Sequence, residues 1–251
     1  MKKYLLFLIF FNYSFYNNAQ NSTKILASYD VILNTESPRT LKGYIEGDSK
    51  EFYYVTHFKQ SNNSILNDMG NEMEIQLGSK PQIIYTSFID STLYSTKKLK
   101  GTNYIIREDL PVFKWKIMNE RKKINDFNCT KATTTFRGRS YIAWFTEDIP
   151  VQIGPYKFNG LPGFIVEIFD ESERFRWLLT EIKTSNTEFI EDSFNELEKK
   201  STQIELKEFI EKSESNVKNS IETKLPRGVN VAVEYKSIRN GIELVYEWEE
   251  N

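Results

Sequence analysis

The chain has 251 residues, which suits one domain or a domain with an appendage. Its formal net charge of –2 argues against a nucleic-acid partner and against a basic patch that binds membranes. Cys129 is the only cysteine, so an internal disulfide is excluded, and the 18 Phe, 14 Tyr and 4 Trp are ample for a hydrophobic core.

Residues 1–19 have the composition of a secretory signal peptide. Lys2 and Lys3 precede an apolar run over residues 4–11, and cleavage is predicted after Ala19. The apolar run is well short of the ~20 residues that span a bilayer, and no Cys follows it that would carry a lipid anchor. The sequence therefore predicts export to the periplasm or the cell exterior, not a lipoprotein. Residues 20–251 are expected to form a single domain without a membrane span.

Short β-prone runs bounded by Gly, Pro or Asp fill the first half of the chain. Lys97, Lys98 and Lys100 fall among them; they could form a ligand patch, but such a run is more often a solvated strand edge. The later runs have the spacing of an antiparallel meander. The predicted strands are 29–33, 51–55, 73–77, 83–89, 92–99, 103–107 and 112–118.

Two hairpins are predicted in the middle of the chain. The first joins residues 129–136 to residues 140–147 across a three-residue turn, Arg137-Gly138-Arg139. Its second strand carries bulky side chains on both faces, so we expect it to be central in the sheet. The second hairpin joins residues 164–169 to residues 175–182.

A loop rich in Gly and Pro, residues 154–163, lies between these hairpins and is called the Gly/Pro loop below. Asn159-Gly160 suits a tight turn, and Pro162-Gly163 predicts a type II turn with positive φ at Gly163. Its apolar residues are expected to be buried. The positions that define the loop are Gly154, Pro155, Gly160, Leu161, Pro162 and Gly163.

Residues 188–221 are charged, free of Gly and Pro, and helically periodic. Capping-box patterns at Ser185-x-x-Glu188 and Thr202-x-x-Glu205 predict two helices rather than one. Their narrow apolar stripes predict that both lie on the sheet. A last hairpin is predicted from residues 229–237 and 242–248. The stripes comprise Ile190, Phe194 and Leu197, then Leu206, Phe209, Ile210, Val217 and Ile221.

These elements predict an α+β domain that is mainly antiparallel β. We expect a long curved meander sheet with one or two helices from the C-terminal half packed on it. With the helices on its concave face, such a sheet would resemble the half-barrels of LolA-like lipoprotein carriers.

The sequence is similar to the GLPGLI family, exported Bacteroidetes proteins with a Porph_ging-type domain and no established biochemical role. Residues 115–170 carry most of the similarity, and residues 240–244 fall where such proteins tend to carry Asn-Pro-Ile-Glu-Leu. The sequence departs from the family pattern at Phe164 and Gly241, and neither change removes a chemical group. The resemblance implies export and supplies no catalytic residues. The motif itself is Gly160-Leu161-Pro162-Gly163-Phe164-Ile165.

Catalytic patterns are sparse. His57 is the only histidine, and a dyad with Cys129 is conceivable, but a cysteine among β-branched residues is more often a small buried hydrophobe. The acidic pairs at residues 147–148 and 170–171 could serve glycoside hydrolysis, although acidic pairs at strand ends are usually turn residues. A hydrolase that depends on carboxylates or on Cys129 is therefore an alternative hypothesis.

Metal and cofactor patterns are equally sparse. One His and one Cys cannot form a conventional zinc site, and no calcium-binding loop motif is present. Met69-x-x-x-Met73 could offer two thioethers to Cu(I), but such a pair is more often packing or surface. We therefore predict no metal and no cofactor.

Polar and aromatic residues near the Gly/Pro loop form the candidate binding surface: Arg137, Arg139, Trp144, Tyr156 and Lys157. A stiff loop carrying such groups suits binding, because little entropy is lost on docking. The alternative is that Trp144 is core and the arginines are solvated. The preferred hypothesis is a non-enzymatic binding or accessory module for a protein, peptide or small apolar ligand. The resemblance suggests a link to outer-membrane uptake and an envelope protein as partner; a lipid or lipoprotein carrier is a further alternative.

Overall fold

The computed structural model describes residues 24–57, 82–185, 189–222 and 239–249. The signal-peptide segment, Met69, Met73 and the strands predicted at 73–77 and 229–237 lie outside the described residues. The described elements, in chain order, are β1 (Lys24–Leu33), β2 (Arg39–Gly47), β3 (Glu51–His57), β4 (Gln82–Ser87), β5 (Thr92–Leu99), β6 (Thr102–Asp109), β7 (Lys116–Ile124), β8 (Phe127–Phe136), β9 (Arg139–Thr146), β10 (Phe164–Asp170), β11 (Phe175–Ser185), α1 (Phe189–Glu198), β12 (Thr202–Glu205) and α2 (Leu206–Glu222).

The described strands form one sheet in the order β12-β6-β5-β4-β3-β2-β1-β11-β10-β9-β8-β7. Strands β1 to β6 are one antiparallel meander and β7 to β11 are a second. The pairing of β1 with β11 joins the two meanders, and β12 is added parallel to β6 at one edge. The predicted mainly antiparallel α+β fold is confirmed, with the single meander replaced by two.

Side chains on one face of the sheet converge, which shows that the sheet curves toward that face. Trp177 Nε1 donates to Tyr54 Oη at 3.0 Å, although two strands separate β11 from β3. Tyr29 Oη likewise donates to the carbonyl oxygen of Ile165 at 2.5 Å. We call this side the concave face and the other the convex face. The main hydrophobic core lies on the concave face.

The helices pack on different faces of the sheet. On the convex face, Phe194 of α1 contacts the rings of Tyr53 and Tyr85 at 5.8 and 5.6 Å. On the concave side of the β6 edge, Phe209 of α2 packs edge-on against Tyr104 at 5.6 Å. Two helices packed on the sheet are confirmed, but α1 does not lie on the concave face, as a LolA-like arrangement would require.

Several local expectations are wrong in detail. Residues 202–205 form the edge strand β12 rather than a capping box, because Ile204 pairs with Ile106 of β6. Val217 of α2 remains 44% exposed and does not contribute to the packed stripe. Residues 239–249 form no strand; they lie on the concave face with a bend at 241–242 and a turn at 247–249, and are called the C-terminal strap below.

The first hairpin turns through two residues, not three. Arg137 and Gly138 have φ of 44° and 83°, as a two-residue turn of type I′ requires, and Phe136 pairs with Arg139. The second strand of this hairpin, β9, lies between β8 and β10, as its bulk on both faces predicts.

The lysines of β5 do not form a strand edge, because β5 lies between β4 and β6. Lys98 and Lys100 are exposed, whereas Lys97 is partly buried. Among the described residues, no helix has both the length and the apolar character needed to cross a membrane.

Candidate functional site

The Gly/Pro loop lies on the concave face, and its apolar residues are buried as expected. Phe158 and Leu161 are 0% and 1% exposed. The Phe158 ring meets Tyr141 of β9 at 4.7 Å and Trp177 of β11 at 5.8 Å, both edge-on. The loop is therefore part of the main core and packs against two strands of the second meander.

The glycines of this loop have different roles. Gly160 has φ of 86°, a conformation that suits a residue without Cβ. Gly163 has no positive φ, so the predicted type II turn is wrong. A Cβ on Gly163 would lie 2.1 Å from the carbonyl oxygen of Thr146. Gly163 is therefore required for the close approach of the loop to the end of β9.

Four buried charged side chains form a cluster on the concave face: Glu108, Arg137, Lys157 and Glu243. Arg137 binds Glu108 Oε2 through Nη2 at 2.7 Å and Glu243 Oε1 through Nη1 at 2.9 Å. Lys157 Nζ contacts Glu243 at 2.7 Å and also binds Glu108. Each of the four side chains is between 4% and 6% exposed. We call this group the charge cluster.

The charge cluster unites four remote parts of the chain. Glu108 comes from β6, Arg137 from the turn between β8 and β9, Lys157 from the Gly/Pro loop and Glu243 from the C-terminal strap. Because β6 and β8 lie near opposite edges of the sheet, their contact closes one end of the curved sheet. Buried opposite charges in this geometry balance each other and satisfy each other's hydrogen bonds.

The electrostatics of the cluster favour the charged forms of Glu243 and Arg137. Burial raises the pKa of Glu243, but the neighbouring Lys157 and Arg137 outweigh burial and lower that pKa to about 2. Burial raises the pKa of Tyr156 well above its usual value, and the nearby carboxylates of Glu243 and Glu108 add to this effect. Tyr156 therefore stays protonated and donates its hydroxyl to Glu243 Oε1 at 2.9 Å.

Arg139 holds the C-terminal strap in place. Its guanidinium donates twice to the carbonyl oxygen of Gly241, at 2.9 and 2.7 Å, and pairs with Asp170 at 3.3 Å. Tyr141 Oη donates to the carbonyl oxygen of Ile242 at 3.2 Å. The strap is thus anchored to the β8–β9 hairpin, which brings Glu243 into the charge cluster.

The structure brings together three of the five residues of the candidate binding surface. Arg137, Tyr156 and Lys157 surround Glu243. Arg139, at the start of β9, does not contact Glu243 but donates to the strap at Gly241. Trp144 is buried on the convex face, where Lys122 Nζ lies 4.3 Å above its ring. The residues predicted as a binding surface therefore do not form one exposed patch. Arg137, Tyr156 and Lys157 belong to a buried network, and the indole of Trp144 lies on the opposite face of the sheet. A binding role for these residues stays a prediction.

A cavity of about 250 Å³ opens on the concave face beside the Gly/Pro loop. We call it the concave cavity. Its apolar lining comes from both meanders, with Tyr156 and the strap residue Ile242 at one side. Arg39, Thr56 and Gln82 supply polar groups. The apolar side chains from the sheet are Val31, Leu33, Leu41, Tyr54, Ile84 and Trp177.

The sequence-derived catalytic candidates lie apart from this cavity. Cys129 is 1% exposed, and burial raises the pKa of its thiol to about 11. Asp170 accepts hydrogen bonds from Arg139 and from the amide of Phe175, and Glu171 is exposed. The side chain of His57 lies outside the described residues. Within the described part of the chain, no three His, Cys, Asp or Glu side chains gather as a metal site.

Sequence reasoning missed Glu108 and Glu243 as members of the charge cluster. Glu243 stands in the segment that resembles a family motif, so its position carried a signal. Tyr104, Ile106 and Glu108 share the concave face of β6, since they are two residues apart along the strand. This period-two pattern marks Glu108 as facing the core. Its partners could not be found from spacing, because they come from three other segments.

Comparisons with known proteins agree with this architecture. The family model described as "Protein of unknown function (Porph_ging)" matches residues 136–167. The predicted resemblance to a Porph_ging-type domain is therefore confirmed over the β9 hairpin strand, the Gly/Pro loop and the start of β10. No curated protein matches the sequence.

Two solved structures of PNGF-II are similar to this chain, each with a TM-score of 0.54. Their sequence identities are 12% and 14%, and the matches cover 76% and 77% of this chain but 33% and 34% of PNGF-II. This chain thus spans about a third of the length of PNGF-II. An uncharacterized conserved protein from Thermus thermophilus has a TM-score of 0.40 and 11% identity, covering 74% of this chain and 91% of that one. At these identities the PNGF-II similarity concerns the fold alone.

Proposed function

We propose that this chain is a non-enzymatic binding module that takes a small apolar ligand in the concave cavity. The observation that carries the proposal is the cavity itself, of about 250 Å³, with an apolar lining and a few polar groups. Ligand sites in proteins typically have this composition. The apolar ligand gains its binding free energy from the side chains of β1 to β4 and β11 that it covers.

The walls of the cavity are well fixed before any ligand arrives. Tyr54 is held by its hydrogen bond from Trp177, and Tyr156 by its hydrogen bond to Glu243. Tyr156 also stacks on Trp177 at 6.1 Å. A preorganised site loses little conformational entropy on binding, which favours affinity for a small ligand.

The alternative of a thiol hydrolase receives no support from these contacts. A raised pKa keeps the Cys129 thiol protonated at neutral pH, whereas the thiolate is the nucleophile. The acidic pairs near the strand ends also lie outside the lining of the concave cavity. These observations favour binding over catalysis at this site.

The setting we propose is the cell envelope, in the periplasm or outside the cell. This part of the proposal rests on the signal-like start of the sequence and on the family resemblance. A role beside outer-membrane uptake, with an envelope protein as partner, rests on the same resemblance.

The test uses the neutral apolar dye N-phenyl-1-naphthylamine, whose fluorescence rises on transfer from water to an apolar site. We expect saturable binding to the purified protein. In Leu33→Trp a partly buried lining residue is enlarged, which should weaken binding about tenfold, or about 1.4 kcal/mol.

The matched control is Val112→Trp, since Val112 is 90% exposed and does not line the cavity. This variant should bind the dye as the unmodified protein does. Absence of saturable binding, or equal loss in both variants, would overturn the proposed site.

A further inference from the structure

The floor of the concave cavity contains a buried tyrosine hydroxyl. Tyr54 is 2% exposed and lines the cavity. A Cβ on Gly43 of β2 would lie 2.8 Å from Tyr54 Oη and 3.0 Å from Val31 Cγ2. Since Val31 lines the same cavity, the Tyr54 hydroxyl lies over Gly43 at the cavity floor.

This hydroxyl is the acceptor in the bond that fixes its position. Trp177 Nε1 donates to Tyr54 Oη at 3.0 Å, and an indole N–H can only donate. The proton of the Tyr54 hydroxyl is therefore left to be donated elsewhere. The hydroxyl of Thr56, which also lines the cavity, is a second polar group beside Tyr54 Oη.

A count of the donors shows that one proton has no acceptor. Tyr54 and Thr56 carry one hydroxyl proton each. If Tyr54 donates to Thr56, the proton of Thr56 is left over, and if Thr56 donates to Tyr54, the proton of Tyr54 is left over. Neither hydroxyl donates to any further group in the part of the chain that the structure describes. These two residues, called the hydroxyl pair below, therefore offer one donor to the concave cavity.

The cavity floor favours a neutral acceptor over an anion. Arg39 supplies the cation of the described lining. It is four residues along β2 from Gly43, which places their Cα atoms about 13 Å apart. A carboxylate beside the hydroxyl pair would therefore lack a nearby counter-charge, and burying an unpaired charge is costly. A carbonyl oxygen accepts the hydrogen bond without a charge and without a donor that needs its own partner.

We propose that the ligand of the concave cavity is a neutral carbonyl compound, an apolar molecule with one ketone, aldehyde or ester oxygen. The carbonyl oxygen accepts a hydrogen bond from the hydroxyl pair, and the apolar body covers Leu41, Ile84 and Trp177. This inference rests on the proposed function, to which it adds the chemical class of the ligand.

The test compares 2-acetylnaphthalene with 2-ethylnaphthalene, which share the ring system and differ in a carbonyl group against a methylene group. Each compound is titrated against the protein preloaded with N-phenyl-1-naphthylamine, and the ratio of the two dissociation constants is obtained from displacement of the dye. The ratio is then compared between protein variants, because this comparison cancels the different hydration of the two compounds.

The test variant combines Tyr54→Phe with Thr56→Val, which removes both hydroxyls. We expect its relative affinity for the ketone to fall about tenfold, the effect of one neutral hydrogen bond. The control combines Tyr29→Phe with Thr86→Val, two buried residues that do not line the cavity. It should keep the ratio of the unmodified protein. Circular dichroism and thermal melting verify that each variant is folded.

An infrared spectrum tests the inference in the unmodified protein, without any variant. A hydrogen bond to the bound ketone should lower its carbonyl stretching frequency below the value in hexane. Difference spectra with an isotope-labelled carbonyl measure this frequency.

The outcomes separate the two proposals. A bound carbonyl that absorbs as it does in hexane, or a ratio that is the same in the test variant and the unmodified protein, would overturn the inference about the carbonyl and leave the apolar site intact. Failure of the dye to bind the unmodified protein would overturn the proposed function and this inference with it.

Discussion

At the scale of single residues, Glu243 collects three hydrogen bonds of the charge cluster on one carboxylate oxygen. Its Oε1 accepts hydrogen bonds from Arg137, Tyr156 and Lys157 at 2.9, 2.9 and 2.7 Å. Since it is one of two buried anions between two buried cations, it neutralises charge that water cannot reach. The contribution of this carboxylate to stability can be measured by removing its charge alone.

We expect Glu243→Gln to lower the free energy of unfolding by about 3–5 kcal/mol, because breaking a buried pair leaves an uncompensated charge. Urea denaturation measures this loss. Glu247→Gln is the control, since Glu247 contacts the same Arg137 but is 61% exposed; its loss should stay below about 1 kcal/mol. Similar losses in the two variants would argue against the charge cluster.

The pKa of Glu243 also predicts a pH dependence. Its pKa in the folded protein is about 2, below the usual value of 4.5. The carboxylate therefore contributes stability that is present above about pH 4.5 and is lost as the pH falls toward about 2. Denaturation midpoints between about pH 5 and about pH 2 should fall steeply in the unmodified protein and less steeply in Glu243→Gln. Parallel slopes would contradict this role.

At the scale of elements, α1 is held to the convex face by a small aromatic cluster. Phe194 is 4% exposed and packs on Tyr53 and Tyr85, whereas Val217 of α2 is 44% exposed. We expect Phe194→Ala to cost about 3–5 kcal/mol through the cavity it creates. Val217→Ala should change stability by less than about 0.5 kcal/mol. Thermal and urea unfolding check both values; an effect of Phe194→Ala as small as that of Val217→Ala would mean that α1 is not packed as described.

Elements with a strong local pattern could be predicted from the sequence. The β8–β9 hairpin follows from its alternation and its turn residues, and the stripe of Ile190, Phe194 and Leu197 follows from helical periodicity. The strand Thr202–Glu205 could not be predicted in this way, because its four residues gain their extended form from pairing with β6. Residues 242–248 of the C-terminal strap were predicted as the second strand of a hairpin, but they form no strand. The anchors of the strap are instead the side chains of Arg139 and Tyr141.

At the scale of the whole molecule, the composition of the site could be anticipated better than its geometry. Arg137, Tyr156 and Lys157 stood out beside the Gly/Pro loop, yet their partners Glu108 and Glu243 come from sequence-distant segments. Sequence spacing does not give the distance between such segments, because the curvature of the sheet determines which of them come into contact. The same curvature creates the concave cavity, so the cavity could not be derived from local pattern.

The pairing of β1 with β11 joins the two meanders, and it has a consequence for how the chain folds. Residues 24–33 belong to the first meander, but their partner, residues 175–185, is synthesised only after most of the second meander. During that interval the edge of β1 presents unpaired amide and carbonyl groups to any neighbouring chain. Pairings between such distant segments also form slowly, commonly in milliseconds to seconds. The nascent protein is therefore most vulnerable to intermolecular association before β11 emerges, and a chaperone that shields β1 would act at this stage.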